Sequence, residues 1–231
     1  MSAYSTMLCV GIIAMCIITI MRRKTYQMPI WKAIVFSLAL TVVGVLGCKL
    51  LYIAENFDIV REQGLTFGGF SFYGAVFLIP LCFLALGKLF GLRPWQAVDC
   101  CAPGVAIMIS LMRIGCFLDK CCGAYPIEMF GQQVVLPVQL FEAAFDFVLL
   151  MVLWYLEDSK KAQGLLFPIF MVSYGVFRFA IEFMRDTPKD WLSLSHGQWF
   201  SMIAVAIGIV LIVVKSQRTV QHETSRKESA S

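Results

Sequence analysis

The chain has 231 residues, 59% of them hydrophobic and 15% charged, with a formal net charge of +4 and a mean hydropathy of +0.78. That balance excludes an ordinary soluble domain, in which about a quarter of residues are charged. Basic loops beside anionic lipid account for the positive charge, so no nucleic-acid partner is expected.

Seven apolar segments follow one another, roughly at 3–21, 30–53, 66–87, 96–118, 137–156, 163–183 and 197–214. Each approaches the ~20 residues that carry a helix across ~30 Å of hydrocarbon. Their length and the absence of period-2 alternation exclude a β-barrel. The expected fold is all-α: one polytopic domain of about seven transmembrane helices over 1–214, then a polar, disordered cytoplasmic tail over 215–231. The first segment has no basic residues ahead of it and no small-x-small cleavage pattern behind it, so a retained helix is expected rather than a signal peptide.

Basic residues set the expected orientation. Arg22, Arg23, Lys24 and Lys32 lie between the first two spans, Lys88 and Arg93 between the third and fourth, and Lys160 and Lys161 between the fifth and sixth. Lys215, Arg218, Arg226 and Lys227 follow the last. These alternate ends belong to one side, which places the N-terminus outside and the C-terminus in the cytoplasm.

Two arginines interrupt the apolar runs: Arg113 in the fourth span and Arg178 in the sixth. A guanidinium stays charged, and near a bilayer centre it costs at least ~2.5–3.5 kcal/mol on insertion scales. Each therefore needs an anion, either a carboxylate partner or a lipid phosphate. With ~1.5 Å of rise per residue, Arg113 and Arg178 lie roughly 8 Å short of the outer ends of their helices. Tyr73 of the third span, Gln139 and Glu142 of the fifth, and His196, Gln198 and Ser201 at the start of the seventh fall at a similar depth. That coincidence predicts a polar cavity in the outer leaflet. Tyr174, Arg178 and Glu182 share one helix face through their i, i+4, i+8 spacing, with Arg185 close by. The glycine-rich run Gly64–Gly74 leads into the third span and suits close approach of a ligand or of another helix. Gly44 and Gly47 read as helix packing.

Nine cysteines are many for this length. Cys9, Cys16, Cys48 and Cys82 sit singly within apolar runs, where a thiol behaves as a small hydrophobe. Cys116, Cys121 and Cys122 cluster near the outer end of the fourth span. Packing, a redox pair and a metal site all remain open for them; adjacent cysteines suit a tetrahedral ion poorly, and no metal is expected.

Taken in order, the motifs resemble those of the prolipoprotein diacylglyceryl transferase family. The family's D-x-x-A-P reads Asp99-Cys100-Cys101-Ala102-Pro103, and its R-x-G-N-F-x-N-x-E begins here as Arg113-Ile114-Gly115-Cys116-Phe117, continuing through Asp119 to Cys121. H-P-x-Q-L-Y-E becomes Leu136-Pro137-Val138-Gln139-Leu140-Phe141-Glu142. Y-G-x-x-R-x-x-x-E-x-x-R is intact from Tyr174 and Gly175 through Arg178 and Glu182 to Arg185. G-Q-x-x-S is Gly197, Gln198 and Ser201, and the glycine-rich segment matches from Gly68 and Gly69 to Tyr73 and Gly74. The match covers about residues 42–205. It departs where Cys116, Asp119 and Cys121 replace Asn, Asn and Glu, and where Tyr73 and Leu136 replace histidines.

The resemblance implies transfer of a diacylglyceryl group from phosphatidylglycerol to a lipobox cysteine of a preprolipoprotein, in a bacterial inner membrane and without a cofactor. It implies Arg113 and Arg178 as the phosphate clamp, with Glu142, Glu182, Tyr73 and His196 as candidate bases. Tyr174, Gln139, Gln198, Gly69, Gly74, Asp119 and His196 join the expected substrate-binding set. A lipid-binding protein that kept the clamp without the chemistry, or a transferase with another acceptor, is the alternative.

Overall fold

A computed structural model describes residues 2–64, 70–124, 126–129, 132–159, 162–185, 187 and 193–228. Its helices are α1 (Ala3–Met21), α2 (Ile30–Glu55), α3 (Phe57–Gln63), α4 (Tyr73–Leu86), α5 (Pro94–Leu118), α6 (Val138–Glu157), α7 (Leu166–Ile181) and α8 (His196–Glu228). Seven of these, all but α3, are long and apolar enough to span a bilayer once 3-10 turns extend α4 to Phe90 and α7 to Met184. The polytopic helical fold expected from the hydropathy is therefore the fold observed.

α5 is the hub. Of its most apolar stretch, 67% is buried inside the protein, against 17% for α1 and 22% for α2 and α8. It packs on α1, α4, α6 and α7, while α2 pairs with α4 and α8 with α7. The outer helices leave large apolar side chains uncovered, including Trp31, Leu81, Leu89, Val148 and Tyr155. A surface of that kind is stable only against lipid tails.

Small residues allow the close crossings. A Cβ built on Gly47 of α2 would lie 2.5 Å from the Gly74 carbonyl oxygen of α4, and one built on Gly74 would come closer still to Gly47. Gly47 thus packs as expected, whereas Gly74, expected at the substrate, belongs to the same crossing. Gly44 is looser, with only Ile79 near.

Three details differ from the expectation. α4 begins at Tyr73 instead of near residue 66, so Tyr73 opens its helix rather than lying two turns inside it. Gly68 and Gly69 lie outside the described residues. The segment between α5 and α6 contains an antiparallel hairpin, β1 (Pro126–Met129) on β2 (Gln132–Val135), with Pro126 opposite Val135 and Met129 opposite Gln132. Helix α8 continues through residue 228, into the stretch set aside as a disordered tail.

Candidate functional site

Three buried arginines meet two buried glutamates where α5, α6 and α7 converge. Arg113 Nε lies 3.0 Å from Glu142 Oε2, and Arg178 Nη1 lies 3.3 Å from Glu142 Oε1. Arg185 Nη1 reaches the same Glu142 oxygen at 3.2 Å, and its Nε lies 3.4 Å from Glu182 Oε2. Arg178 also pairs directly with Glu182, one turn along the chain. The i, i+4 spacing of α7 and the turn after it produce that pair. Ser195 Oγ donates to Glu182 Oε1 at 2.8 Å. All five charged residues are at most 8% exposed.

The cluster forms part of the wall of a cavity of about 830 Å³. Arg113, Arg178, Arg185 and Glu182 line it together with Tyr73, Tyr174 and apolar residues from α1, α2 and α4. Tyr73 and Tyr174 sit at a ring separation of 6.0 Å. The Tyr73 hydroxyl bonds to Ser201 Oγ, which donates to the Gly197 carbonyl at 2.7 Å. The structure thus brings Arg113, Arg178, Glu142, Glu182, Tyr73 and Tyr174 into one site.

The remaining expected residues have other surroundings. Asp119 caps α1, accepting from the Ala3 and Tyr4 amides at 3.0 and 2.8 Å. Gln139 Nε2 donates to the Cys121 carbonyl at 2.8 Å, so it holds a loop. Gln198 is fully buried; its Oε1 accepts from the Ser195 amide at 3.0 Å and its Nε2 has no partner. His196 is exposed at the start of α8 and is not among the residues lining the cavity. Gly69 lies outside the described residues.

Several residues enter the site that the sequence reading left out of it. Arg185 was noted only as a neighbour, although its i+3 distance from Glu182 was the available signal. Ser195 had no signal, since it reaches Glu182 from the segment before α8. Asp146, one turn beyond Glu142 on α6, is buried with Oδ1 unpartnered.

Cys116, Cys121 and Cys122 also line the cavity, and their sulfurs lie within 4.8 Å of one another. A hydrogen bond with the Cys116 thiol and the positive charges of Arg185 and Arg113 pull the Cys122 thiol down to about 5, against the cost of burial.

Comparison with known proteins adds an independent finding. Residues 1–214 match the family model described as prolipoprotein diacylglyceryl transferase. A phosphatidylglycerol–prolipoprotein diacylglyceryl transferase of Clostridium tetani is 31% identical, over 89% of this chain and 90% of the relative. A second, from Clostridium perfringens, is 31% identical over 81% of this chain and 80% of its own. The Methylococcus capsulatus protein of the same name is 29% identical over 93% and 91%.

Proposed function

The chain belongs to the prolipoprotein diacylglyceryl transferase family, and from that premise we propose that it moves a diacylglyceryl group from phosphatidylglycerol to the cysteine thiol of a lipobox peptide. One observation carries the reading at the site. Three guanidiniums converge on Glu142 and Glu182, and Arg113, Arg178 and Arg185 line a cavity whose wall is otherwise largely apolar, with Glu55 its other acidic residue besides Glu182. A lipid with an anionic phosphate has the matching two-part shape: acyl chains along Leu8, Ile12, Leu40 and Ile79, and phosphate against Arg113 and Arg178.

In the transfer, the acceptor sulfur attacks the diacylglyceryl carbon that carries the phosphate ester. The carbon–oxygen bond breaks, glycerol phosphate leaves with the electron pair, and a thioether remains. Arg113 and Arg178 meet the charge that develops on the leaving oxygen. Glu142 and Glu182 are positioning residues, because their oxygens are already engaged by the guanidiniums they hold in place. Tyr73 and Tyr174 border the glycerol region. The same positive field favours the thiolate of the acceptor. In this reading the site opens toward the outer leaflet of a bacterial cytoplasmic membrane, on the side whose loops carry fewer Lys and Arg.

Purified protein incubated with phosphatidylglycerol and a synthetic lipobox peptide is expected to yield a diacylglyceryl adduct on the peptide cysteine by mass spectrometry. Arg113→Ala and Arg178→Ala are expected to slow it on the order of 10²–10³-fold while still inserting into membranes. Arg178→Lys should recover little of the loss, since an ammonium lacks the bidentate fork. Bound lipid with no adduct in the wild type would overturn the transferase and leave a lipid clamp.

A further inference from the structure

The end of α5 carries three thiols that the transfer chemistry above leaves without a task. Their convergence is built by the backbone. α5 ends in a Schellman turn: the Lys120 amide donates to the Phe117 carbonyl at 3.1 Å and the Cys121 amide to the Cys116 carbonyl at 3.0 Å. Those are the paired bonds that fold the chain back over the last helical turn, so Cys121 returns above Cys116. Lys120 and Cys122 both adopt left-handed backbone, with φ of 53° and 58°, where glycine would be the ordinary choice. At Cys122 this matters directly. Consecutive residues of an extended chain point to opposite sides, and the left-handed turn lets Cys121 and Cys122 address one point. Two further ties hold the loop there: Gln139 Nε2 on the Cys121 carbonyl, and a β-bridge between Ala124 and Arg185.

We propose that Cys116, Cys121 and Cys122 bind a zinc ion through three thiolates, with the fourth position open to the cavity. In a tetrahedral thiolate site with Zn–S near 2.3 Å, sulfurs stand about 3.8 Å apart. The sulfurs here lie within 4.8 Å of one another, so closure needs an inward shift of at most about 1 Å per pair. Thiolates select a soft d¹⁰ ion over hard cations. Among the described residues no histidine or carboxylate completes the set. Three protein ligands with one vacancy are the pattern of a reactive zinc site rather than a structural one. All three cysteines line the cavity, so the fourth ligand enters from it. What that ligand is rests on the transferase reading: the acceptor thiol, which loses its proton to water on coordination and is held as thiolate beside Arg113.

The test uses the full chain, purified in detergent without oxygen and with a phosphine reductant, then exchanged into metal-free buffer. Zinc titration followed by elemental analysis is expected to give about one ion per chain. Cobalt(II) in its place should show sulfur-to-metal charge-transfer bands and the intense visible bands of a tetrahedral ion. Cys116→Ser, Cys121→Ser and Cys122→Ser should each lose those bands and weaken zinc by more than the roughly 10–100-fold typical of an outer-shell change. Cys9→Ser and Cys82→Ser, which are not members of the cluster, should keep them. If a cluster variant fails to fold, the wild-type cobalt spectrum decides alone. A wild type that binds no zinc and shows no thiolate–cobalt bands overturns the site. Lipobox peptide should shift the cobalt bands and its Cys→Ser version should not; no shift removes the acceptor from the fourth position. Zinc bound without lipid transfer refutes the transferase and leaves the metal site. Full transfer by zinc-free protein refutes a role for the metal in the reaction.

Discussion

Glu142 has two oxygens and three guanidinium neighbours, at 3.0, 3.3 and 3.2 Å, so each arginine is held but none is used up. Breaking such a buried set by removing one partner typically costs about 3–5 kcal/mol, because an uncompensated charge remains. These residues could be read from the chain for the same reason: a charge in an apolar span is costly enough to announce a partner. Asp119 shows the limit of that logic. It stands at a motif position where the family has Asn and was expected at the substrate, but an aspartate just past a helix end serves equally well as a cap for whichever helix starts nearby. Here it caps α1. The amide of Tyr4 first, then that of Ala3, holds its carboxyl below the ordinary carboxylate range. A lowered folded-state value means that the cap is at full strength above the ordinary range near ~3.9 and is lost as pH falls through the depressed value. Asp119→Ala is therefore expected to speed hydrogen exchange of the Ala3 and Tyr4 amides at neutral pH, relative to intrinsic rates. The wild type should match it only in acid, once the pH has fallen below the ordinary carboxylate range and through the depressed value. Equal protection in both proteins at neutral pH would contradict the cap.

Single residues also decide how whole elements cross. α2 and α4 touch backbone to backbone at Gly47 and Gly74, where a Cβ would meet a carbonyl oxygen and not a side chain that could turn away. Gly74→Ala is expected to force the pair apart and destabilise the protein by about 1–3 kcal/mol, the usual cost of overpacking. Thermal unfolding in detergent checks this, and an unchanged midpoint would show that the crossing has slack. The Gly44–Gly47 spacing made this contact legible in advance, although it could not say which partner helix was involved. The Schellman turn after α5 was not legible, because Lys120 stands where glycine would have marked it. Short elements such as α3 and the β1–β2 hairpin were missed for another reason: runs of four to seven residues hold too few periods for hydropathy to register.

At the scale of the molecule, buried polar groups occupy two ends of the bundle. One end holds the arginine–glutamate cluster. At the other, Arg22 pairs with Glu157 and donates to the Cys100 carbonyl at 3.2 Å, while Asp99 accepts from the amides of Gly164 and Phe167 at the start of α7. Arg22 had been counted among the basic loop residues; it is 3% exposed and serves a helix contact. Composition could show that a charge lies near a helix end, but its partner sits 135 positions away and only the fold joins them. Without Arg22, the basic residues Arg23, Lys24, Lys32, Lys88, Arg93 and Lys215 still share one end, which is why that end is expected in the cytoplasm. Seven spans are expected to put that end and the C-terminus on one side and the N-terminus on the other. Green fluorescent protein fused after Ser231 is therefore expected to fluoresce, whereas alkaline phosphatase at the same point should be inactive, because its disulfides form only outside the cytoplasm. Active phosphatase with a dark fluorescent fusion would invert the topology. It would also turn the arginine cluster to the cytoplasmic leaflet, out of reach of a lipobox cysteine that has crossed the membrane.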